Sequence, residues 1–331
     1  MTGKLILSNV SLSDAAKSRL LDAIDGKMEF EIESEPSPER LRDVEILILA
    51  GKAWLTKERL EKMENLRLIQ CFSAGVEYLN HEIIPASVIV CSNAGAFAEP
   101  IVEFVFGSIV CLGRNLIEHD RKMKQGVFEQ SPFGLFLKGK TIGVIGTGGI
   151  GQNVARVAKS FNMRTLGINT SGQSVPYFDS VSKLDNLESF LKESDIVVVA
   201  VPLTNRTKDL IGERELNHVK PDSIIINVAR GAIINERALY NFLSSHPESR
   251  AAIDVWWRYP RTGEKFAQNT PIETLPNVLA SPHFSDGVPE SFELGSESAI
   301  NNVIRYLKGE PLKGRVRSED YYGLNHAASH P

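Results

Sequence analysis

A glycine-rich turn near the middle of the chain has residue types and a spacing that could bind an anion. An apolar run leads into Gly146-x-Gly148-x-x-Gly151, and an amphipathic run at helical spacing follows it. In a strand, turn and helix of this kind, Gly146 permits the turn, Gly148 admits a pyrophosphate, and Gly151 lets the helix pack on the strand. The amides of Gly149 and Ile150 then lie at a positive helix N-terminus. The pattern predicts a dinucleotide site.

Three polar side chains, Arg230, Asp254 and His283, each end or follow an apolar, strand-like run in the second half of the chain. Singly, each has an ordinary structural explanation: a surface ion pair, a helix cap and a satisfied loop histidine. Because an open parallel sheet places its site beyond the carboxyl ends of its strands, three in succession favour a site instead. A guanidinium holds a carboxylate bidentately, and an imidazole exchanges a proton near neutral pH. Hydride transfer to a 2-oxo acid requires these groups.

The elements that would position these groups form a series of alternating strands and helices. Strands are predicted at residues 163–169, 195–201, 223–228, 251–255 and 278–280, with helices at about 187–192, 213–218 and 236–243. Apolar, β-branched strands of this kind suit a parallel sheet that is covered on both faces. The second half is therefore predicted to be a Rossmann domain.

The first hundred residues show the same alternation without a glycine fingerprint. Strands are predicted at residues 5–10, 45–50, 66–72 and 88–91, with helices at 14–24 and 57–63. Long helical patterns at about 99–124 and 290–308 flank the Rossmann segment, and residues 325–331 are predicted to be a loose tail.

We therefore predict an α/β fold of two Rossmann-like or flavodoxin-like lobes with parallel sheets. The nucleotide domain, residues 99–284, is inserted into a substrate domain formed by residues 1–98 plus 285–331. A cleft between the lobes would admit a small substrate.

Composition excludes several classes of function. The 331 residues are 42% apolar and 24% charged, with 37 basic and 41 acidic side chains for a net charge of −4. Without a basic block or a long apolar run, neither nucleic acid nor membrane is an expected partner. The segment 4–10 is too short for a signal peptide, so a cytoplasmic protein is expected. Cys71, Cys91 and Cys111 are predicted to be reduced, buried thiols, and no metal site is expected.

Together these motifs resemble a known family over nearly the full length, the D-isomer-specific 2-hydroxyacid dehydrogenases. The matching stretches are residues 146–151, 201–204, 226–232, 252–255 and 275–283, with 73–76, 93–95 and 99–103 in the first lobe. The resemblance implies an enzyme that transfers a hydride between a nicotinamide cofactor and a small 2-oxo acid or D-2-hydroxy acid, as in glyoxylate or hydroxypyruvate reductases.

The resemblance also implies roles for individual residues. Arg230 would bind the substrate carboxylate and the 2-oxo group, and His283 would be the acid or base. The amides of Ala74 and Gly75 would also hold the carboxylate, and Asp254 would contact the nicotinamide carboxamide. Further cofactor contacts are implied at Pro202, Thr207, Val228, Ala229 and Gly287. The long helix and its neighbouring loop resemble the family's dimerisation region, so a homodimer is expected. The residues concerned are Phe104, Phe106, Val127, Phe128 and Phe133.

One departure from the family concerns the partner of the histidine. The family has a Glu there, and this chain has Tyr259. A phenol supplies orientation without the charge of a carboxylate. Glu264 and Glu99 are the alternative carboxylates, and the role of Tyr259 stays open. For the neighbouring Trp256 and Trp257, packing is favoured over a wall of the cleft.

A second departure concerns the cofactor ribose. Asn169 follows the second strand, where an Asp would bind the ribose diol and repel a 2′-phosphate. Thr170 and Ser171 add hydroxyl donors, although no Arg is adjacent. NAD(P) is therefore the expected cofactor, with a lean to NADP(H).

A different class of function, a nucleotide-sensing or interaction protein on the same scaffold, is the alternative. The replacement of the Glu by Tyr259 supports it, and the retention of Arg230 and His283 speaks against it.

Overall fold

The computed structural model describes residues 4–51 and 53–324; the predicted tail at 325–331 lies outside the described residues. The described chain contains two sheets with parallel pairing throughout, which confirms the predicted α/β class. It forms two compact units. One comprises residues 4–97 and 288–324, and the other comprises residues 98–287.

The first unit is built on a five-stranded sheet in the order β2-β1-β3-β4-β5. The strands are Leu5–Ser8 (β1), Glu29–Ile32 (β2), Val44–Leu49 (β3), Leu68–Cys71 (β4) and Ile89–Cys91 (β5), and the helices are Asp14–Ile24 (α1), Pro38–Asp43 (α2) and Lys57–Lys62 (α3). Ser13 caps α1 by accepting the N–H of Ala16. The prediction missed β2 because it is a partly exposed edge strand with alternating glutamates.

The second unit contains a seven-stranded sheet in the order β12-β11-β10-β9-β6-β7-β8. Its helices are Ala98–Gly113 (α4), Leu116–Lys124 (α5), Gly149–Ser160 (α6), Leu187–Glu193 (α7), Glu213–Leu216 (α8) and Glu236–Ser245 (α9). Its strands are Thr141–Ile145 (β6), Arg164–Ile168 (β7), Ser180–Ser182 (β8), Ile196–Val199 (β9), Ile224–Asn227 (β10), Arg250–Ile253 (β11) and Val278–Ala280 (β12). All but the short edge strand β8 were predicted.

The single long helix predicted at 99–124 is wrong. Asn115 has a φ of 53°, in the left-handed region, and a continuous right-handed helix cannot include such a residue. The chain therefore bends by 57° between α4 and α5. No single helix among the described residues is long and apolar enough to cross a membrane.

The last helix, Ser291–Leu307 (α10), belongs to the first unit and packs on α1. Ile300 and Val303 are buried in the same apolar cluster as Leu20. The Ser296 hydroxyl accepts the N–H of Ser13, at 3.1 Å, which ties α10 to the cap of α1.

Two of the three cysteines are buried as predicted, and Cys111 is only half-buried. Burial raises the pKa of the Cys71 thiol to about 12. Burial likewise raises the pKa of Cys91 to about 11. These thiols are therefore protonated at neutral pH. Among the residues described, no cluster of His, Cys, Asp and Glu could hold a metal ion.

Candidate active site

The glycine turn joins β6 to α6, and its three glycines meet different surroundings. Gly146 has a φ of +103°, and a Cβ there would lie 2.4 Å from the Ala200 carbonyl oxygen. A Cβ on Gly151 would lie 2.0 Å from the carbonyl oxygen of Gly146. A Cβ on Gly148 would meet no protein atom within 4 Å, and no side chain caps the helix there. Two glycines thus serve the turn, while the third leaves open the space that a pyrophosphate needs beside free helix amides.

Asn169, directly after β7, uses its whole side chain to close a tight turn. Its Oδ1 accepts the N–H groups of Ser171 and Gly172, at 3.1 and 2.6 Å. Its Nδ2 donates to the Thr147 hydroxyl and the Gln173 carbonyl oxygen, at 2.9 and 3.1 Å. The Ser171 hydroxyl, 3.2 Å from Asn169 Oδ1, is part of the same turn. Thr170 is exposed at the tip of the turn, and its hydroxyl takes no part in these hydrogen bonds.

A cation that the sequence prediction missed lies beside this turn. Lys183 follows β8, the edge strand that pairs with β7. Its Cγ would lie 2.9 Å, and its Cε 3.6 Å, from a Cβ placed on Gly172. The alkyl part of Lys183 therefore runs along the turn, and the residue as a whole is exposed. Lys183 was hard to predict as a site residue because β8, the strand before it, is short and polar.

The loops after β9 and β10 contain four of the residues predicted to contact a cofactor. The Thr207 hydroxyl donates to the Pro202 carbonyl oxygen at 2.6 Å and accepts the N–H of Thr204 at 2.8 Å, so it fixes the loop after β9. Val228 and Ala229 are buried directly after β10.

Arg230 follows these residues and is half-buried. Its carbonyl oxygen accepts the Asn227 side-chain amide at 3.0 Å, and its Nη1 donates to the Ala229 carbonyl oxygen at 2.6 Å. A Cβ on Gly231 would lie 2.4 Å from the carbonyl carbon of Trp256. The loop that carries Arg230 is therefore pressed against the backbone of the loop after β11.

Asp254, at the end of β11, is fully buried. Its Oδ1 accepts the Ser281 hydroxyl at 2.5 Å and the N–H of Phe284 at 2.8 Å. Its Oδ2 accepts the N–H of Ser285 at 3.0 Å. The carboxylate thus holds both sides of His283, an arrangement that the sequence did not reveal. At the end of this loop, Gly287 lies under the ring of Phe284.

The Tyr259 hydroxyl lies 2.9 Å from His283 Nδ1, within hydrogen-bond distance. The same phenol oxygen accepts the N–H of Trp256 at 3.1 Å. Neither of the two carboxylates considered as alternatives to Tyr259 is described in contact with His283. Glu264 accepts the N–H of Arg261 and lies 4.0 Å from the Arg258 guanidinium, and Glu99 is exposed in the first turn of α4.

The two tryptophans pack and also hold loops in place. Trp256 is buried against Phe266 and donates from Nε1 to the Ser281 carbonyl oxygen at 2.8 Å. Trp257 donates from Nε1 to the Ile234 carbonyl oxygen at 2.6 Å. The packing interpretation is the one that these contacts support.

In the other unit, Ala74 and Gly75 lie in a half-buried loop after β4. The Ser73 hydroxyl donates to the Gly75 carbonyl oxygen at 2.8 Å and lies 3.1 Å from the Tyr78 hydroxyl. Burial raises the pKa of Tyr78 well above its ordinary value, so its hydroxyl stays protonated.

Comparisons with known proteins show which family this chain is similar to. The NAD-binding domain of the D-isomer-specific 2-hydroxyacid dehydrogenases matches residues 106–285. A glyoxylate reductase of Thermococcus litoralis is 30% identical over 82% of this chain and 83% of its own length. A D-3-phosphoglycerate dehydrogenase of Methanocaldococcus jannaschii is also 30% identical over 82% of this chain, which spans only 51% of that relative. A solved acyclic imino acid reductase in complex with NADPH and D-arginine is 25% identical, covering 95% of this chain and 100% of its own, with a TM-score of 0.74.

Proposed function

This chain belongs to the D-isomer-specific 2-hydroxyacid dehydrogenases, and on that premise we propose that it is an NAD(P)-dependent 2-oxoacid reductase. One observation carries the proposal. The loop of Arg230 is pressed against the backbone of Trp256, and Tyr259 in the same segment meets His283. A guanidinium and an imidazole therefore extend from adjoining loops of a domain whose first turn has room for a pyrophosphate.

In the proposed site, residues 99–284 form the nucleotide domain, and residues 1–98 plus 285–331 form the substrate domain. A nicotinamide bound in the nucleotide domain supplies the hydride. Arg230 binds the carboxylate bidentately and polarises the carbonyl. His283 exchanges a proton with the carbonyl oxygen. The amides of Ala74 and Gly75 are proposed as further carboxylate donors.

The contacts of Asp254 support a role in holding the His283 loop, in addition to the proposed contact with nicotinamide. The three hydrogen bonds described at its carboxylate go to residues 281–285. A carboxylate has about four acceptor positions, so one more donor fits beside these three.

The direct test is a panel of 2-oxo acids, including glyoxylate and hydroxypyruvate, with each reduced nicotinamide cofactor. We expect cofactor oxidation with at least one acid. A second panel with an amine present tests reduction of a C=N bond, the activity named for the imino acid reductase. Binding of the cofactor without turnover of any substrate would contradict the proposal and favour the sensor alternative, which the named relatives do not support.

We propose NADP(H) as the preferred cofactor. Three features support it: Asn169 carries no charge to repel a 2′-phosphate, Thr170 is exposed at the turn, and the Lys183 side chain runs along it. An ammonium at this position supplies the cation that the adjacent sequence lacks.

Lys183→Ala tests this proposal better than Asn169→Asp does. An aspartate would place a carboxylate oxygen against the Gln173 carbonyl oxygen, where Asn169 Nδ2 now donates, and would disturb the turn as well as the charge. Lys183→Ala is expected to raise KM for NADPH about tenfold, the value of one charge-assisted hydrogen bond, and to leave KM for NADH unchanged. Lys192→Ala, an exposed lysine of α7, is the control. A strong native preference for NADH would contradict the proposal.

We further propose a cytoplasmic homodimer. The cytoplasmic location is supported by three free cysteines. The dimer is supported by the segment that follows α5, in which Val127, Phe128 and Phe133 are exposed. Phe106 does not belong to this surface, because it is buried and stacks on Phe161 with ring centroids 5.4 Å apart.

A further inference from the structure

The Tyr259 hydroxyl contacts both Nδ1 of His283 and a backbone N–H, so the direction of its hydrogen bonds bears on which nitrogen of His283 is protonated. The phenol oxygen accepts the backbone N–H of Trp256, and a backbone N–H can only donate. A phenol O–H is a stronger hydrogen-bond donor than a neutral imidazole N–H, and an imidazole nitrogen is a stronger acceptor than a phenol oxygen. If the phenol donates to Nδ1, both observed contacts are satisfied at once.

We propose that Tyr259 is a positioning residue that donates to Nδ1 and keeps neutral His283 in the tautomer with its proton on Nε2. This inference rests on the proposed reductase function for its consequence, although the tautomer itself does not. It gives the neutral imidazole an N–H for the carbonyl oxygen of a 2-oxo acid. The Glu found in other family members would instead favour a proton on Nδ1.

The surrounding loops hold the two rings in this relation. Asp254 and the Trp256 indole fix the residues on both sides of His283, whose own φ is +59°. The ring centroids of Tyr259 and His283 lie 5.5 Å apart at an interplanar angle of 38°. A rotation of either ring would therefore break contacts that the loops impose.

Within the described part of the chain, the loops next to Tyr259 and His283 carry several charged side chains, among them Arg261 and Lys265. Asp254 is committed to the 281–285 loop. Arg258 and Glu264 face each other on the loop of Tyr259. Arg230 follows β10, and Asp286 lies on the loop of His283 itself.

Proton transfer then runs through both side chains. As the carbonyl carbon gains a hydride from the reduced cofactor, its oxygen takes the Nε2 proton and Nδ1 takes the phenol proton. The phenolate is held by the Trp256 N–H and regains a proton from water. Because the acid is a neutral imidazole backed by a phenol, reduction continues at alkaline pH, where an enzyme that needs imidazolium would have lost its acid.

The tautomer is measured first, without turnover. Long-range ¹H–¹⁵N correlation NMR of the full-length protein with ¹⁵N-labelled histidines, above pH ~8, distinguishes a proton on Nε2 from one on Nδ1. The His283 signals are assigned by their loss in His283→Gln. We expect the Nε2–H form in the wild type, and an Nδ1–H form would overturn the inference. This result stands even if no 2-oxo acid is reduced, so it separates failure of the inference from failure of the proposed function.

The pH dependence of reductive kcat/KM tests the consequence. Tyr259→Phe keeps the ring and removes the proton donor, so its kcat/KM should fall with the ionisation of imidazole. The ratio of wild type to variant should therefore be at least tenfold larger at pH ~9 than at pH ~6. Tyr240→Phe, a tyrosine packed on the same apolar core, should follow the wild-type profile. Coincident alkaline limbs for wild type and Tyr259→Phe would show that Tyr259 only packs.

Discussion

At the level of single residues, one short segment controls the position of His283. Asp254, Trp256 and Tyr259 bind the 281–285 loop through a carboxylate, an indole N–H and a phenol. Hydrogen bonds to a charged carboxylate are worth about 1.5–3 kcal/mol each. A loop that carries an acid–base group can therefore keep one conformation although the residue itself has a left-handed backbone.

Arg230→Lys tests the proposed carboxylate clamp. Lysine keeps the charge but loses the planar fork, so KM for the best 2-oxo acid should rise about 10- to 100-fold. The affinity for NADPH, measured by quenching of tryptophan fluorescence, should not change. Arg237→Lys, an exposed arginine of α9, is the control. Unchanged steady-state kinetics in Arg230→Lys would remove this residue from the site.

The residues proposed to carry chemistry could be singled out in the sequence because strand ends are recognisable from apolar runs. Their partners could not. Asp254 and the 281–285 loop are separated by a whole strand and its connection, and no local pattern records that they meet. Lys183 was missed for a related reason, since it follows an edge strand with hardly any apolar signal.

At the level of elements, the sequence predicted every central strand and missed two of the four edge strands, β2 and β8. Central strands such as β9 consist of buried, β-branched residues, which periodicity detects. Edge strands such as β2 carry polar residues on exposed positions. The break between α4 and α5 was hidden because helical spacing of apolar residues continues across Asn115, whose left-handed backbone bends the chain by 57°.

The glycine turn separates a structural from a binding requirement. Gly151→Ala would place a Cβ 2.0 Å from a backbone oxygen, so we expect a loss of about 1–3 kcal/mol in the free energy of unfolding. Gly148→Ala meets only open space within 4 Å, so its unfolding should match the wild type.

The affinity of Gly148→Ala for NADPH should nevertheless fall about tenfold or more, because the added methyl group enters the space proposed for the pyrophosphate. Denaturant unfolding and fluorescence titration measure the two effects separately. Equal nucleotide affinity in Gly148→Ala and wild type would mean that the phosphates bind elsewhere.

At the level of the whole molecule, the exposed aromatic side chains after α5 need an explanation. Phe128 and Phe133 are 77% and 95% exposed. A second copy of the chain would bury them in a two-fold interface in which the same surface serves both partners. A stable interface of this kind buries about 1,600 Å² in total, so neighbouring apolar residues such as Val127 would also contribute.

We therefore expect a dimer by light scattering at micromolar concentration. Phe128→Asp combined with Phe133→Asp should give a monomer, because two buried carboxylates without partners cost several kcal/mol. Leu21→Asp is the matched control, since Leu21 is 51% exposed on α1 of the other unit and should leave the dimer intact. Monomeric wild-type protein would contradict the proposed assembly. A dimer that survives the double substitution would place the interface on a different surface. Arg230, Tyr259 and His283 all come from one chain, so a monomer keeps all three residues. The reductase assay on the same samples shows whether activity nevertheless depends on assembly.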